Sequence, residues 1–458
     1  MLAAVERELA DEAFVVVGVH SPRFPSERDP GLVAEAVRRH GITHPVVVDA
    51  GRQLWDAYAV RAWPTLVIVG ADGRIVGAAS GEPDPAPLLL ALTGVLDQQR
   101  AMLSPAPLPL RPEAGPPGTL AFPGGIAVGT EAVYVADTGH HQVVACAPDG
   151  QQLRRFGTGA PGLRDGGQEA RLHAPHGLAV HHRTLYVADT GNNAVRAVDL
   201  DTGQVRTVAG TGQRGRSADG SGLATAVALR SPWDVAVTAV GELLVAMAGS
   251  HQLWGIVDGI AAVYAGSGRE ARVDGDLITA AFAQPSGLAW SDDAALYVAD
   301  SEISAVRRVS GGQVTTVAGG DLFAFGDVDG NGDDARFQHP VGIAAGPRGT
   351  LLVADTLNHK IKSLDPATGR VRTLLGDGTP FDASLTALEH RPPLPLDLRS
   401  TAAFREPEAV AWTGRGILVV DTGNPRVVEV DPATGSARLW LGGEGQTPPR
   451  ARTSSIAP

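Results

Sequence analysis

The sequence predicts a mainly β protein, a six-bladed β-propeller preceded by a partial α/β domain. Three observations predict it. A short motif recurs six times from residue 120 onward, strands alternate with helices in the first hundred residues, and a proline-rich stretch separates the two. The expected division is an α/β domain over 1–100, incomplete at its start, a linker over 101–119, the propeller over 120–445 and a flexible tail over 446–458.

Composition narrows the function classes. Of 458 residues, 43% are hydrophobic and 19% charged, a globular balance with room for one small domain and one large one. A net charge of −12 repels nucleic acid and anionic membrane. The single cysteine, Cys146, allows no internal disulfide. No stretch approaches the roughly 18 apolar residues of a membrane span. Glu6, Glu8, Asp11 and Glu12 stand where a signal peptide would be basic. The expectation is a cytoplasmic monomer without a cofactor, whose partner is a protein or a small molecule.

In the first hundred residues, Phe14-Val-Val-Val-Gly-Val19 is a continuous apolar run, the pattern of a strand buried on both faces. Pro30 to Arg39 reads as a helix with Leu32, Val33, Ala36 and Val37 on one stripe. Val46 to Val48 is the next strand and Arg52 to Tyr58 a short helix. Leu66 to Val69 and Ile75 to Ala79 form a hairpin around Asp72-Gly73. Pro87 to Gln99 closes the domain with a Leu-rich helix, and Met1 to Ala10 reads as the last turns of an earlier one.

Trp63-Pro64-Thr65, just before the hairpin, resembles in this order of elements the cis-proline loop of thioredoxin-like proteins. That resemblance implies a peptide-binding role for these three residues. It also implies a C-x-x-C dithiol at a helix N-terminus, where the helix dipole would lower a thiol pKa. No such pair occurs in the chain, so the expectation is either that the dithiol turn and its strand stand upstream of residue 1 or that the domain has lost its first strand and its chemistry.

The repeat begins with an apolar-x-x-Pro-x-Gly anchor. Its copies start at Leu120, Leu172, Leu229, Phe282, Phe337 and Phe404, at intervals of 52–67 residues. The longest interval, before Pro407, is expected to hold an irregular excursion through Pro392, Pro393 and Pro395. Each anchor is followed by a strand of the Tyr-Val-Ala-Asp-Thr type, a third strand carrying Val-Arg or its like, and a fourth ending near Val-Ala-Gly. Four short strands repeated six times make a β-propeller.

These repeats resemble the NHL repeat family. The resemblance is to NHL-repeat-containing thioredoxin-like proteins, carried by Gly18-Val-His-Ser21, Ile42-Thr-His-Pro45, Ala136-Asp-Thr-Gly-His-His141, Ser231-Pro-Trp-Asp234, Ala246-Met-Ala-Gly249, Ala281-Phe-Ala-Gln-Pro-Ser-Gly287 and Phe323-Ala-Phe-Gly-Asp-Val-Asp-Gly330. It covers nearly the whole chain. It departs where the dithiol and the extra β domain of longer members would stand.

Candidate residues follow from the repeat. Asp137, Asp189, Asp300, Asp355 and Asp421 end the second strands and are expected to bond the backbone of their own turns, with Met247 replacing the aspartate in blade three. Four residues on stand His141, Asn193, His251, Ser304, His359 and Pro425. These histidines cannot share a metal, because their turns lie roughly 15 Å from the axis. The positions that converge on the channel mouth follow the anchor proline, and His176, Trp233, Ser286 and Glu408 are the candidates there. Asp327, Asp329 and Asn331 match half of a calcium loop whose twelfth position is Gln338 rather than Glu. An inter-blade turn is the principal reading of that segment. Cys146 reads as a buried, inert thiol.

Function follows from these readings. The leading expectation is a non-enzymatic scaffold that binds a partner on one propeller face. A thiol–disulfide oxidoreductase with its dithiol upstream is the alternative, and a propeller hydrolase or lyase using the channel is the third.

Overall fold

The computed structural model describes residues 2–81, 85–104, 118–215, 220–380 and 404–442. The chain divides into two compact units, 1–116 and 117–458. Most of the linker, the Pro392–Pro395 excursion and the tail lie outside the described residues.

The first unit runs α1 (Leu2–Glu8), β1 (Gly18–His20), α2 (Pro30–Arg39), β2 (Val46–Val48), α3 (Gln53–Ala57), β3 (Thr65–Val69), β4 (Ile75–Ser80) and α4 (Pro85–Gln99). Asp29 caps α2 by accepting the Gly31 N–H at 2.7 Å, with Pro30 in the first turn. Val5 and Leu9 pack on Leu92 and Leu96 in a small core that Phe14 and Ile68 join. The Trp63–Pro64 peptide is cis. β1 pairs in parallel with β2, and β3 antiparallel with β4, as two separate two-stranded sheets.

The Phe14–Val19 run departs from expectation. The strand begins only at Gly18, and Val15, Val17 and Val19 are 40, 51 and 47% exposed. Successive side chains of an extended segment point to opposite sides. Only the set that includes Phe14 finds the core, and no strand among the described residues pairs with the second edge of β1.

The second unit is the six-bladed propeller. Its inner strands are Gly125–Val128, Pro175–His181, Pro232–Val237, Pro285–Trp290, Gly342–Ala345 and Pro407–Trp412. Each is followed within its blade by three antiparallel strands. In blade two, Thr184–Asp189, Ala194–Asp199 and Val205–Ala209 continue outward, with Val187 opposite Arg196. In blades three, four and five the preceding loop crosses to the rim and adds a short fifth strand, as when Ser221–Leu223 pairs with Ile260–Ala262. That fifth strand covers an outer edge that would otherwise be free to pair with another chain.

The core lies between blades rather than within them. A separate apolar cluster fills each junction; one joins Val143 and Phe156 to Leu172, Leu185 and Val198, and the others repeat the arrangement round the ring. The anchor residues Leu120, Leu172, Leu229, Phe282, Phe337 and Phe404 are all at most 2% exposed. Among the described residues the ring closes by packing, with no strand shared between blades six and one. Blade six brings Leu418, Val420, Val427 and Leu441 against Leu120, Val133 and Val135 of blade one. The Trp440 indole N–H donates to the Pro148 carbonyl at 3.1 Å.

The unpaired edge of β1 and the exposed valines predict low local stability. Hydrogen exchange followed by mass spectrometry should show residues 14–20 losing protection well before the second strands of the blades. Equally slow exchange in both would contradict the open edge.

Candidate functional site

The top face of the propeller is assembled by one buried carboxylate in each of five blades, Met247 standing in its place in blade three. Asp137, Asp189, Asp300, Asp355 and Asp421 are fully buried. Each accepts, at 2.7 Å, the backbone N–H of Ala121, His173, Ala283, Gln338 or Arg405, 16 or 17 residues upstream. The expectation that these aspartates bond their own turns is thereby corrected at the backbone: they tie down the anchor loop. The second carboxylate oxygen meets a cation, Arg155 at 2.9 Å, Arg196 at 2.8 Å, Arg307 at 3.1 Å, Lys362 at 3.6 Å or Arg426 at 2.7 Å. Burial pushes the Asp300 and Asp355 carboxyls up to about 6 against the opposing pull of Arg307 and Lys362.

The same cations reach the inter-blade turns. Arg196 also bonds Asp165 at 2.7 Å and Arg307 bonds Asp274 at 2.9 Å. In blade five Lys362 bonds Asp327 at 2.8 Å and Asp329 at 3.4 Å, and Lys360 takes the other oxygen of Asp327. Asn331 lies in the rim strand opposite Arg370. The structure therefore places the proposed calcium residues in an ion-paired turn of the kind other blades have. Among the described residues, no three His, Cys, Asp or Glu side chains gather as metal ligands would.

Two side-chain latches join successive blades. The hydroxyl after the aspartate donates to the next anchor proline: Thr138 to Pro175, Thr190 to Pro232, Ser301 to Pro340, Thr356 to Pro407 and Thr422 to Pro123, at 2.7–2.9 Å. The residue three further on accepts the N–H just before that proline. His141, His251 and His359 accept through Nδ1 from Ala174, Gln284 and Glu406; Asn193 and Ser304 accept from Ser231 and His339. The histidines thus have a structural contact that sequence reasoning did not find. The residues before the prolines hold a positive φ of 46–61° in all six blades, a conformation costly before proline. Latches on either side hold four of them there, and one latch holds each of the other two, Phe122 and Gln284.

Inside this frame lies the channel, a cavity of about 360 Å³ lined by the inner strands. His176 reaches past Gly124 of blade one to Glu408 of blade six, with Nε2 3.2 Å from the carboxylate. A Cβ on Gly124 would lie 2.5 Å from the His176 ring, so the glycine makes the crossing possible. The Trp233 ring stacks on His176, with centroids 5.7 Å apart, and stands outside the lining. Ser286 is turned into the wall, where its hydroxyl bonds Ser301 and the Val341 carbonyl.

Sequence reasoning missed Asp234. Its signal was a break in the anchor pattern: where blades one, two, four and five carry glycine, blade three carries aspartate. Its oxygens accept the N–H groups of Val235 and Leu288 at 2.8 Å. They press so close to Gly177 that a Cβ there would meet Oδ1 at 2.1 Å. Burial pushes the Asp234 carboxyl up to about 7, opposed by those N–H groups and by His176. The hydrogen-bonded pair His176 and Glu408 lines one end of the channel together with Asp234, while Trp290 and Trp412 line the other.

With this fold and site in hand, the family is plain. The Teneurin NHL domain model matches residues 136–365, half of the chain, and the chain belongs to this NHL-domain family. It is 36% identical over 481 residues to NHL repeat-containing protein 2 of Bos taurus, covering 96% of this chain and 65% of that protein. It is 34% identical over 487 residues to Protein SUPPRESSOR OF QUENCHING 1, chloroplastic, of Arabidopsis thaliana, covering 99% of this chain and 45% of that one. The chain thus spans less than two thirds of these relatives' own length. A shorter match, 32% over 69 residues, joins 15% of this chain to 47% of the Thiol-disulfide oxidoreductase YkuV of Bacillus subtilis.

The latch histidines predict an acid sensitivity. Burial lowers the pKa of the His141 and His251 rings from 6.5, so the neutral, accepting ring contributes stability that is complete above about pH 6.5 and is lost as pH falls through the depressed folded pKa. Asn193 makes the same contact in blade two. The His141→Asn, His251→Asn double variant should lose less stability than the parent between pH 7 and pH 5, by about 1 kcal/mol. Parallel losses in urea melts at the two pH values would contradict the assignment.

Proposed function

We propose that this chain is a non-enzymatic binding scaffold that uses the channel-mouth face of its propeller. The observation that carries the reading is the break in sixfold regularity at that mouth. His176, Asp234 and Glu408 replace the small or apolar residues of other blades, and Trp233 stacks beside them. A ring whose junctions are otherwise near copies has been made unequal where a ligand or partner would enter. Scaffold turns such as the five aspartates hold this face still, and preorganised faces bind at lower entropic cost.

The first unit is read as a redox-inactive thioredoxin-like segment. The order of its elements supports the thioredoxin-like part of that reading, the absence of a C-x-x-C pair from this sequence supports the redox-inactive part, and Trp63, Pro64 and Thr65 are its candidate peptide-binding residues. The oxidoreductase alternative draws on the short match to a thiol-disulfide oxidoreductase, but thiol–disulfide turnover needs a second thiol to resolve the mixed disulfide. This sequence has Cys146 alone, and burial pushes its thiol up to about 12. The reading keeps a cytoplasmic monomer without a cofactor, bound to a protein or small molecule rather than to nucleic acid or membrane. The described residues include no helix long and apolar enough to cross a membrane.

An insulin-reduction assay with dithiothreitol as electron source tests the non-enzymatic claim. The chain should add nothing to the background rate, and Cys146→Ser should behave identically. Turnover above background would overturn the reading.

A further inference from the structure

We infer that the propeller channel is a binding site for an elongated amphipathic organic cation, a primary ammonium on an aromatic or aliphatic body, its ammonium held by the Glu408 and Asp234 carboxylates. The inference rests on the proposed binding role of the channel-mouth face and gives that site a ligand class.

Four observations carry it. The cavity, about 360 Å³, falls in the range of roughly 300–1,000 Å³ typical of small-molecule sites. It runs along five residues of an inner strand, roughly 16 Å at strand spacing, so its occupant is long and narrow. Its ends differ. One end carries two carboxylates and a single histidine, while no lysine or arginine appears among the described lining residues. Its other end carries Trp290 and Trp412. The Trp290 indole N–H is buried without a hydrogen-bond partner among the described residues, which marks that end as incomplete with protein atoms alone.

The inner strands also leave one edge unpaired among the described strands, since each lies at the end of its sheet. Their carbonyls can accept what an ammonium still has to donate after meeting the carboxylates. Asp234 and Glu408 sit on blades three and six, on opposite sides of the ring, so a cation between them meets charge from both sides. His176, Asp234 and Glu408 are the titratable groups facing the cation among the described residues. Because burial holds the Asp234 carboxyl up to about 7, the ligand competes with a proton there, and affinity rises with pH.

Titration calorimetry on the full chain tests this with three probes that share one body: 4-phenylbutylamine, 4-phenylbutan-1-ol and 4-phenylbutanoate. The amine should bind tightest, gaining about tenfold from pH 6 to pH 8. Glu408→Gln and Asp234→Asn should each weaken it about 10–100-fold and leave the alcohol unchanged. Asp234 also holds backbone N–H groups, so an unchanged melting temperature qualifies Asp234→Asn, and Glu408→Gln decides if it fails to fold. Equal or tighter binding of the alcohol or carboxylate would overturn the cation class while leaving a ligand site in place. No amine binding at millimolar concentration, or binding indifferent to both variants, would overturn the inference itself.

Discussion

A carboxylate buried at the top of the second strand is what the rest of the propeller depends on. It accepts the N–H of the anchor loop behind it and pairs with a cation that, in blades two, four and five, also grips the inter-blade turn. One group therefore fixes the loop, two strands and the turn together. Burying such a pair costs desolvation that offsets much of the attraction, and the raised Asp300 and Asp355 pKa values reflect that cost. Its contribution is geometric. It sets where the anchor proline and the channel-lining residues begin.

Blade three shows what the arrangement tolerates. Met247 takes the aspartate's place and Trp254 the place of Arg196 and Arg307, seven residues on, and both are buried in the apolar cluster against blade two. The charge pair leaves as a pair, so no ion is stranded. In the same blade Ala248 lacks the latch hydroxyl, and Pro425 cannot accept at the closing junction. Each of those junctions keeps the other latch, through His251 and Thr422. Among the described residues the ring closes on the side-chain packing of Trp440 and its neighbours.

Much of this was legible in the sequence, for a physical reason. A repeated unit that buries its face only against its neighbour must repeat its anchors, and Pro123 through Pro407 did so visibly. The aspartates were legible as structural residues, but their partners were not, because a bond reaching 16 residues back leaves no local pattern. The histidines were legible only as a puzzle, since their partner belongs to the next blade. Asp234 was legible as a broken motif, yet its meaning needed the glycines around the axis that make room for it. In the first unit the order of elements read correctly. The burial of Phe14–Val19 did not, because an apolar run states what a strand prefers rather than which neighbours it finds.

The claim that the buried pair acts as one unit is tested most directly by a double-mutant cycle on Asp189 and Arg196, read in the propeller's urea transition. The account predicts that Asp189→Ala and Arg196→Ala are each strongly destabilising and that the double variant costs about 2–3 kcal/mol less than their sum. Losses that add to within about 0.5 kcal/mol would contradict it.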